Sequence, residues 1–438
     1  DYGHFTLGAE SAAQLYFGKP ASELTLSESA MLAFVGQAPA LNPFDAPAAA
    51  DAGRREVLSA LLRAGWITQQ EALASSRDLP LIQTQAAEER ESDLVSNQFI
   101  DLVLSQLDSN LGAGRAQRGG AVIYTSIDYS LQLQVDCTLR TQRGHLAGRE
   151  PTITARDGSP CSTATLLPWM DRADDLADLT AGALILDPST GQILAAAGDL
   201  SQHPAGTAIT PFIYLAGFSR GFSPASLGWD IPGGEPVLGQ VYQGPVRLRN
   251  ALVNDYLPPA RTLVNQVGIE TILRTSASLG LDFPSASLLE KEFSLSPFTL
   301  SAAYGILAAE GTWVGQDITP SAGLTPAPPV SEGLDPAAVL LVTHADGSTW
   351  VDWSTPSSRL ILTPQLAYLV TDVLADKSAR PDARVSTGWL DIGNQAAVRQ
   401  ARTLDGSAAW TVGYTPLRVV TVFLSGAGGD SQSAADGL

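Results

Sequence analysis

Two short apolar runs, Ala181–Asp187 and Gln192–Ala197, are joined only by Pro188-Ser189-Thr190-Gly191. Strand-type runs separated by so short a Gly-ended turn commit the stretch to a β-hairpin. A second pair, Trp410–Tyr414 and Arg418–Leu424, repeats the pattern towards the far end of the chain. Between the pairs the apolar period is that of helices. They are expected from about Thr207, at Ser301–Glu310 and at Pro364–Ala375, the last with Thr363 as N-cap and Pro364 at the first helical position. Strands at both ends of a long segment, with helices between, require an α+β domain in which helices pack against an antiparallel sheet.

The N-terminal part reads differently. Thr25-Leu26-Ser27-Glu28 has capping-box spacing and precedes Ala30, Met31, Phe34 and Val35 on one helical face. Arg54–Leu62 continues the helical pattern, with Val57, Leu58, Leu61 and Leu62 expected inward and Gly65 as the stop. Thr68 and Glu71 make a second capping box, and Leu94–Leu107 is a further amphipathic helix. Residues 1–110 are therefore expected to form a helical domain. Gly112, Gly114, Gly119 and Gly120 then punctuate the chain. Residues 111–180 read as a linker with a strand at Ala121–Ile127, a helix from about Tyr129 and a loop-rich insertion over 145–178. Residues 181–438 make the α+β domain. Asp171, Asp174, Asp175 and Asp178 read as a solvated helix face, since EF-hand spacing is lacking.

Composition narrows the partners. With 45% hydrophobic and 16% charged residues, the 438-residue chain has the make-up of a folded protein. A formal charge of −19 argues against nucleic acid, which needs clustered Lys and Arg. No run approaches the ~20 apolar residues of a membrane span, and no signal peptide is visible. The chain starts at Asp1, in mid-domain, so an upstream segment carrying a membrane anchor is expected. Cys137 and Cys161 permit a disulfide, which would suit an exported protein, or could be two buried thiols. His4, His145, His203 and His344 lack metal-type pairing, so neither metal nor cofactor is expected.

Two long runs carry a family resemblance. Gly8-Ala9-Glu10-Ser11-Ala12-Ala13-Gln14-Leu15-Tyr16-Phe17-Gly18-Lys19, followed by Leu24–Glu28, Gln37-Ala38-Pro39, Asn42-Pro43 and Arg54–Leu58, is similar to the C-terminal lobe of the glycosyltransferase domain of class A (bifunctional) penicillin-binding proteins. Residues 121–425 resemble the transpeptidase domain of the same family. Tyr124–Asp128 with Leu131-Gln132 resembles its entry, Gly182–Gly198 its first hairpin and Trp410–Pro416 its last. The resemblance implies a penicillin-binding, β-lactamase-like fold for the α+β domain.

It also implies which positions carry acyl transfer. The family's Ser-x-x-Lys opens a helix, the Lys one turn from the Ser whose proton it takes. The matching stretch here is Ala205-Gly206-Thr207-Ala208-Ile209-Thr210-Pro211-Phe212, so Thr207 stands at the nucleophile position and Thr210 at the base position. A second hydroxyl cannot accept a proton near neutral pH. In the Ser-x-Asn motif, Asp255 replaces the Ser and Leu257 the Asn. The Lys-Thr-Gly motif falls without a gap on Arg399-Gln400-Ala401; a shifted pairing with Arg402-Thr403-Leu404 needs a deletion. Asp255 and Arg399, of opposite charge at positions that face each other in the family, are expected to pair.

The resemblance with every motif side chain changed leads to the expectation of a catalytically inactive homologue, a binding or structural component outside the cytoplasmic membrane. Its partner is expected to be another protein of an extracytoplasmic assembly, or a peptidoglycan peptide in the vestigial groove. A second reading makes the chain the passive part of a cell-wall synthase whose active glycosyltransferase motifs lie upstream. A third is a hydrolase re-evolved at Thr207 with His203 as base, which requires the two within ~3.2 Å, directly or through one water.

Overall fold

The structure, a computed structural model, describes residues 2–3, 6, 8–82, 96–112, 116, 121–146, 154–167, 180–233, 241–282, 289, 293–317, 333–344, 347–380, 395–403 and 408–425. Leu94, Asp171, Asp174, Asp175, Asp178, Leu404, His4, Gly114, Gly119 and Gly120, named above, lie outside these residues. The chain divides into two units, one built mainly from residues 1–93 and the other from residues 94–110, 123–342 and 349–438.

In the first unit, helices α1 (Ala9–Phe17), α2 (Leu26–Val35), α3 (Pro47–Arg63) and α4 (Gln69–Arg77) follow one another. Both capping boxes form: Thr25 accepts from Glu28 N–H and Thr68 from Glu71 N–H, and each glutamate accepts from its cap in return. The core gathers Ala12, Ala13, Tyr16, Met31, Leu32, Val35 and Ala50. At Gly53 any Cβ would strike the Phe34 ring, so glycine is what lets α3 come close to α2. Arg54 is fully buried and bonded to Asp51, Ser27 and the Ser75 carbonyl. Helix α3 starts well before Arg54, and Leu62, expected inward, is exposed. Apolar spacing marks a face but not how far along it a neighbour extends; here burial stops at Leu58.

The second unit centres on an antiparallel sheet. Its strands β1 (Thr180–Asp187), β2 (Gln192–Gly198), β3 (Ala397–Arg402), β4 (Ala408–Tyr414) and β5 (Val419–Ser425) lie in the order β3-β4-β5-β1-β2. The two hairpins read from the sequence thus join edge to edge, β5 on β1, with Val419 opposite Leu186 and Ser425 opposite Thr180. Helix α6 (Tyr129–Leu146) packs on β1 and β2, and α10 (Pro297–Ala308) on β1 and β5. Between its first and last residues β1 is buried throughout, as a strand covered by helices on both faces must be. The fold class is α+β, as expected.

Several details differ from the sequence reading. Helix α5 spans Asn97–Leu111 and belongs with the second unit: the Gln106 side chain donates to Pro336 O at 2.7 Å and accepts from Ala338 N at 3.2 Å. The strand at Ala121 ends at Thr125. Helix α6, read as part of a linker, is tied to the sheet edge, where the Gln132 amide exchanges two hydrogen bonds with the Ala196 backbone. Cys137 on α6 is bonded to Cys161 among Leu133, Ala155 and Ala164. Helix α10 begins at Pro297, four residues before its expected start, because Ser296 accepts from Thr299 N–H and Pro297 fits the first turn. Among the described residues no helix is long and apolar enough to cross a membrane.

Candidate functional site

Three distant segments of the second unit converge on one buried cluster. The first is the turn Gly206–Ile209 that leads into α7 (Thr210–Ser219), a helix whose residues are buried from Thr210 to Phe218. The second follows α8 (Leu248–Val253), where Asn254 caps the helix and Asp255 takes φ 59° before α9 (Leu257–Val267) begins. Asp is one of the few residues that tolerate this left-handed conformation, because its short polar side chain bonds locally. The third is β3, where Ala397, Arg399 and Ala401 face inward. The flanking alanines leave room for the guanidinium between them.

Thr207 is 3% exposed and its hydroxyl is bonded on both its donor and its acceptor side. It donates to Asp255 Oδ2 at 2.6 Å and accepts from Arg402 N–H at 3.1 Å. The other Asp255 oxygen takes the Arg399 guanidinium in an ion pair. Arg399, 1% exposed, also donates to the Thr207 carbonyl at 3.0 Å and to the Leu252 carbonyl. Thr210 donates to the same Thr207 carbonyl at 3.0 Å. Gly206, at φ 50°, lies so close to β3 that a Cβ would sit 2.0 Å from Arg402 O. The strand is therefore pressed directly onto the turn that carries Thr207.

The surroundings are desolvated. Burial, aided by the nearby Arg399 charge, lowers Arg380 to about 10; its guanidinium donates to the Leu374 and Val398 carbonyls. Burial pushes the Tyr214 and Tyr304 phenols well above their ordinary range, against the opposing pull of Arg399. Tyr304 donates to Ala208 O at 2.8 Å, holding the Thr207 turn from the α10 side.

The structure thus brings together Thr207, Thr210, Asp255 and Arg399. Leu257 stands half-buried at the start of α9, and Gln400 and Ala401 are opposite Thr411 and Trp410 in the sheet. The basic side chain at the cluster is Arg399; from the shifted alternative, Arg402 supplies a backbone N–H and the Thr403 hydroxyl accepts from Ala408 N–H. The Asp255–Arg399 pairing matches the opposite charges. The Thr207–Asp255 hydrogen bond was not expected from the sequence: the Thr207 hydroxyl donates to a carboxylate. The signal for it in the sequence is Asp255 itself, an acceptor as well as a counter-ion. His203 is not a partner of Thr207. It lies 3.5 Å from Asp199 Oδ2 and 3.3 Å from Ser201 Oγ, and stacks on Phe423. This removes the base from the His203 hydrolase reading. Among the described residues His, Cys, Asp and Glu do not gather in a metal-holding group.

A helix-flanked antiparallel sheet whose edge strand β3, α7 turn and post-α8 loop meet in one cluster is the architecture of a penicillin-binding-protein fold. Residues 1–62 match the transglycosylase family. Penicillin-binding protein 1A of Aquifex aeolicus is 27% identical over 390 residues, covering 71% of this chain and 53% of that protein. Penicillin-binding protein 2D of Bacillus subtilis is 24% identical over 486 residues, covering 100% and 60%. In fold, penicillin-binding protein 1A from Haemophilus influenzae superposes with a TM-score of 0.62 at 16% identity, over 100% of this chain and 83% of that one. The chain is thus similar to class A penicillin-binding proteins, and it spans little more than half the length of the curated proteins it matches.

Proposed function

We propose that this chain is a catalytically inactive relative of the class A penicillin-binding proteins, acting as a binding or structural component of cell-wall synthesis outside the cytoplasmic membrane. One observation carries the reading: the Thr207 hydroxyl is buried and bonded on both its donor and acceptor sides, to Asp255 and to Arg402 N–H. A nucleophile needs a reacting carbon about 3 Å away and a base to take its proton. Here the available acceptor is locked to Arg399, and Thr210 brings no amine. Arg399 stays charged and can only anchor an anion. The partner we favour is another protein of the envelope, with a peptidoglycan peptide as the alternative.

The test is intact mass after incubation with a reactive β-lactam, beside an active penicillin-binding protein. No adduct is expected on this chain. A stoichiometric adduct in the cleft would overturn the reading. The match of residues 1–62 to the transglycosylase family favours a second role, as the passive part of a longer glycan-polymerising protein. Glycan polymerisation by the full gene product would support that role, and its absence there would count against it.

A further inference from the structure

A cavity of about 660 Å³ opens in the second unit between the end of α10, α11 (Pro364–Ala375) and the turn after β4. This is the size of a small-molecule site. None of Thr207, Asp255 or Arg399 lines it. We infer that it binds an amphipathic cation, an apolar body bearing an ammonium or guanidinium group. The argument does not depend on whether acylation is lost.

The walls supply the apolar half. Leu307 comes from α10, Tyr368 and Leu369 from α11, and Tyr414 from β4. Tyr368 is 65% exposed, an aromatic face left open at the mouth, and aromatic faces attract cations. Tyr414 is buried, its hydroxyl 3.1 Å from Thr371 Oγ1, so the cavity ends on a satisfied polar pair.

The charged half is negative only. Glu310 and Asp372 line the cavity, whereas Lys, Arg and His do not. Asp372 is engaged by Arg249 at 2.9 Å. The Glu310 backbone N–H donates to Leu307 O, but its carboxylate has no hydrogen-bond or ion-pair partner among the described residues. Its placement is unfavourable twice over. It follows the C-terminus of α10, where the helix dipole repels a carboxylate. It also takes φ 53°, a left-handed conformation that glycine or asparagine fills more readily. A cation held between Glu310 and the Tyr368 ring would offset the repulsion by the helix dipole, while the apolar body displaced water from the Leu307–Leu369 walls. A free amine and a lysine or arginine flanked by apolar residues present this same chemistry.

The test is titration calorimetry of the chain with hexylammonium and with neutral hexanol, and with a blocked Leu-Lys-Leu peptide as a second cation source. Hexylammonium is expected to bind about tenfold tighter than hexanol, the usual worth of one charge-assisted contact. Glu310→Gln should remove that advantage and leave hexanol unchanged. Glu56→Gln, at an exposed carboxylate elsewhere, should change nothing, which separates the cavity from the general acidity of the chain. Tighter binding of the peptide than of the amine would support a protein segment as ligand, and the reverse a free amine. Equal binding of amine and alcohol, no heat with either, or equal losses in both variants would overturn the proposal.

Discussion

The Arg399 guanidinium is almost wholly withdrawn from water, and among the described residues its carboxylate partner is Asp255. A buried charge that loses its partner destabilises far more than the intact pair stabilises. Asp255→Ala is therefore expected to lower stability by about 3–5 kcal/mol. Replacing both, Asp255→Leu with Arg399→Met, should recover most of the loss, because no unpaired charge is left. Urea midpoints followed by tryptophan fluorescence check both. His203 gives a second prediction at this scale. Burial against Phe423 lowers its pKa from the ordinary 6.5, and Asp199 only partly opposes this. The unfolded chain thus takes up a proton at higher pH than the folded one. The stability contribution is full above 6.5 and is lost as pH falls from there towards the lowered value. His203→Phe, which keeps the stack, should flatten the fall in melting temperature in that window. Asp199 acts in a separate window: burial raises its carboxyl, but the Ser201 and His203 contacts outweigh it, so its contribution is lost only below its ordinary 3.8.

At the scale of elements, the site exists because β3 lies against the turn before α7. Gly206 permits this, having both a positive φ and no Cβ to meet Arg402 O. Gly206→Ala is expected to cost about 1–3 kcal/mol from backbone strain alone, with the clash adding to it. It should also free the Arg402 amide from Thr207, visible as faster hydrogen exchange at Arg402 than at Arg399. The capping boxes at Thr25 and Thr68 were legible from four residues each, since a cap is a contact between near neighbours in sequence. The start of α10 was equally local, and Ser296-Pro297 carried the same signal as Thr363-Pro364.

At the scale of the molecule, α6 and the segment after it are stitched by Cys137–Cys161 across 24 residues of chain. Closing a loop of this length restricts the unfolded ensemble, and replacing both cysteines by serine should cost about 3 kcal/mol. The loss should appear in the unfolding of the sheet-bearing unit, because α6 anchors β2 through Gln132. Unchanged stability would mean the bridge closes a segment that is already ordered without it.

The sequence by itself determined the elements and their kind: the two hairpins, the capped helices, the α+β class, and which side chains stand at the three motif positions. The elements rest on period, caps or spacing, which are properties of neighbours along the chain, and the motif positions rest on the resemblance to the penicillin-binding family. Only the tertiary structure decided that β5 pairs with β1, that α5 joins the second unit and α6 packs on the sheet, and that the Thr207 hydroxyl donates its hydrogen bond to Asp255 and not to His203. Those outcomes depend on which distant segments share a buried volume, where a charge must find its partner and a hydroxyl its acceptor. A one-dimensional pattern carries no record of that competition.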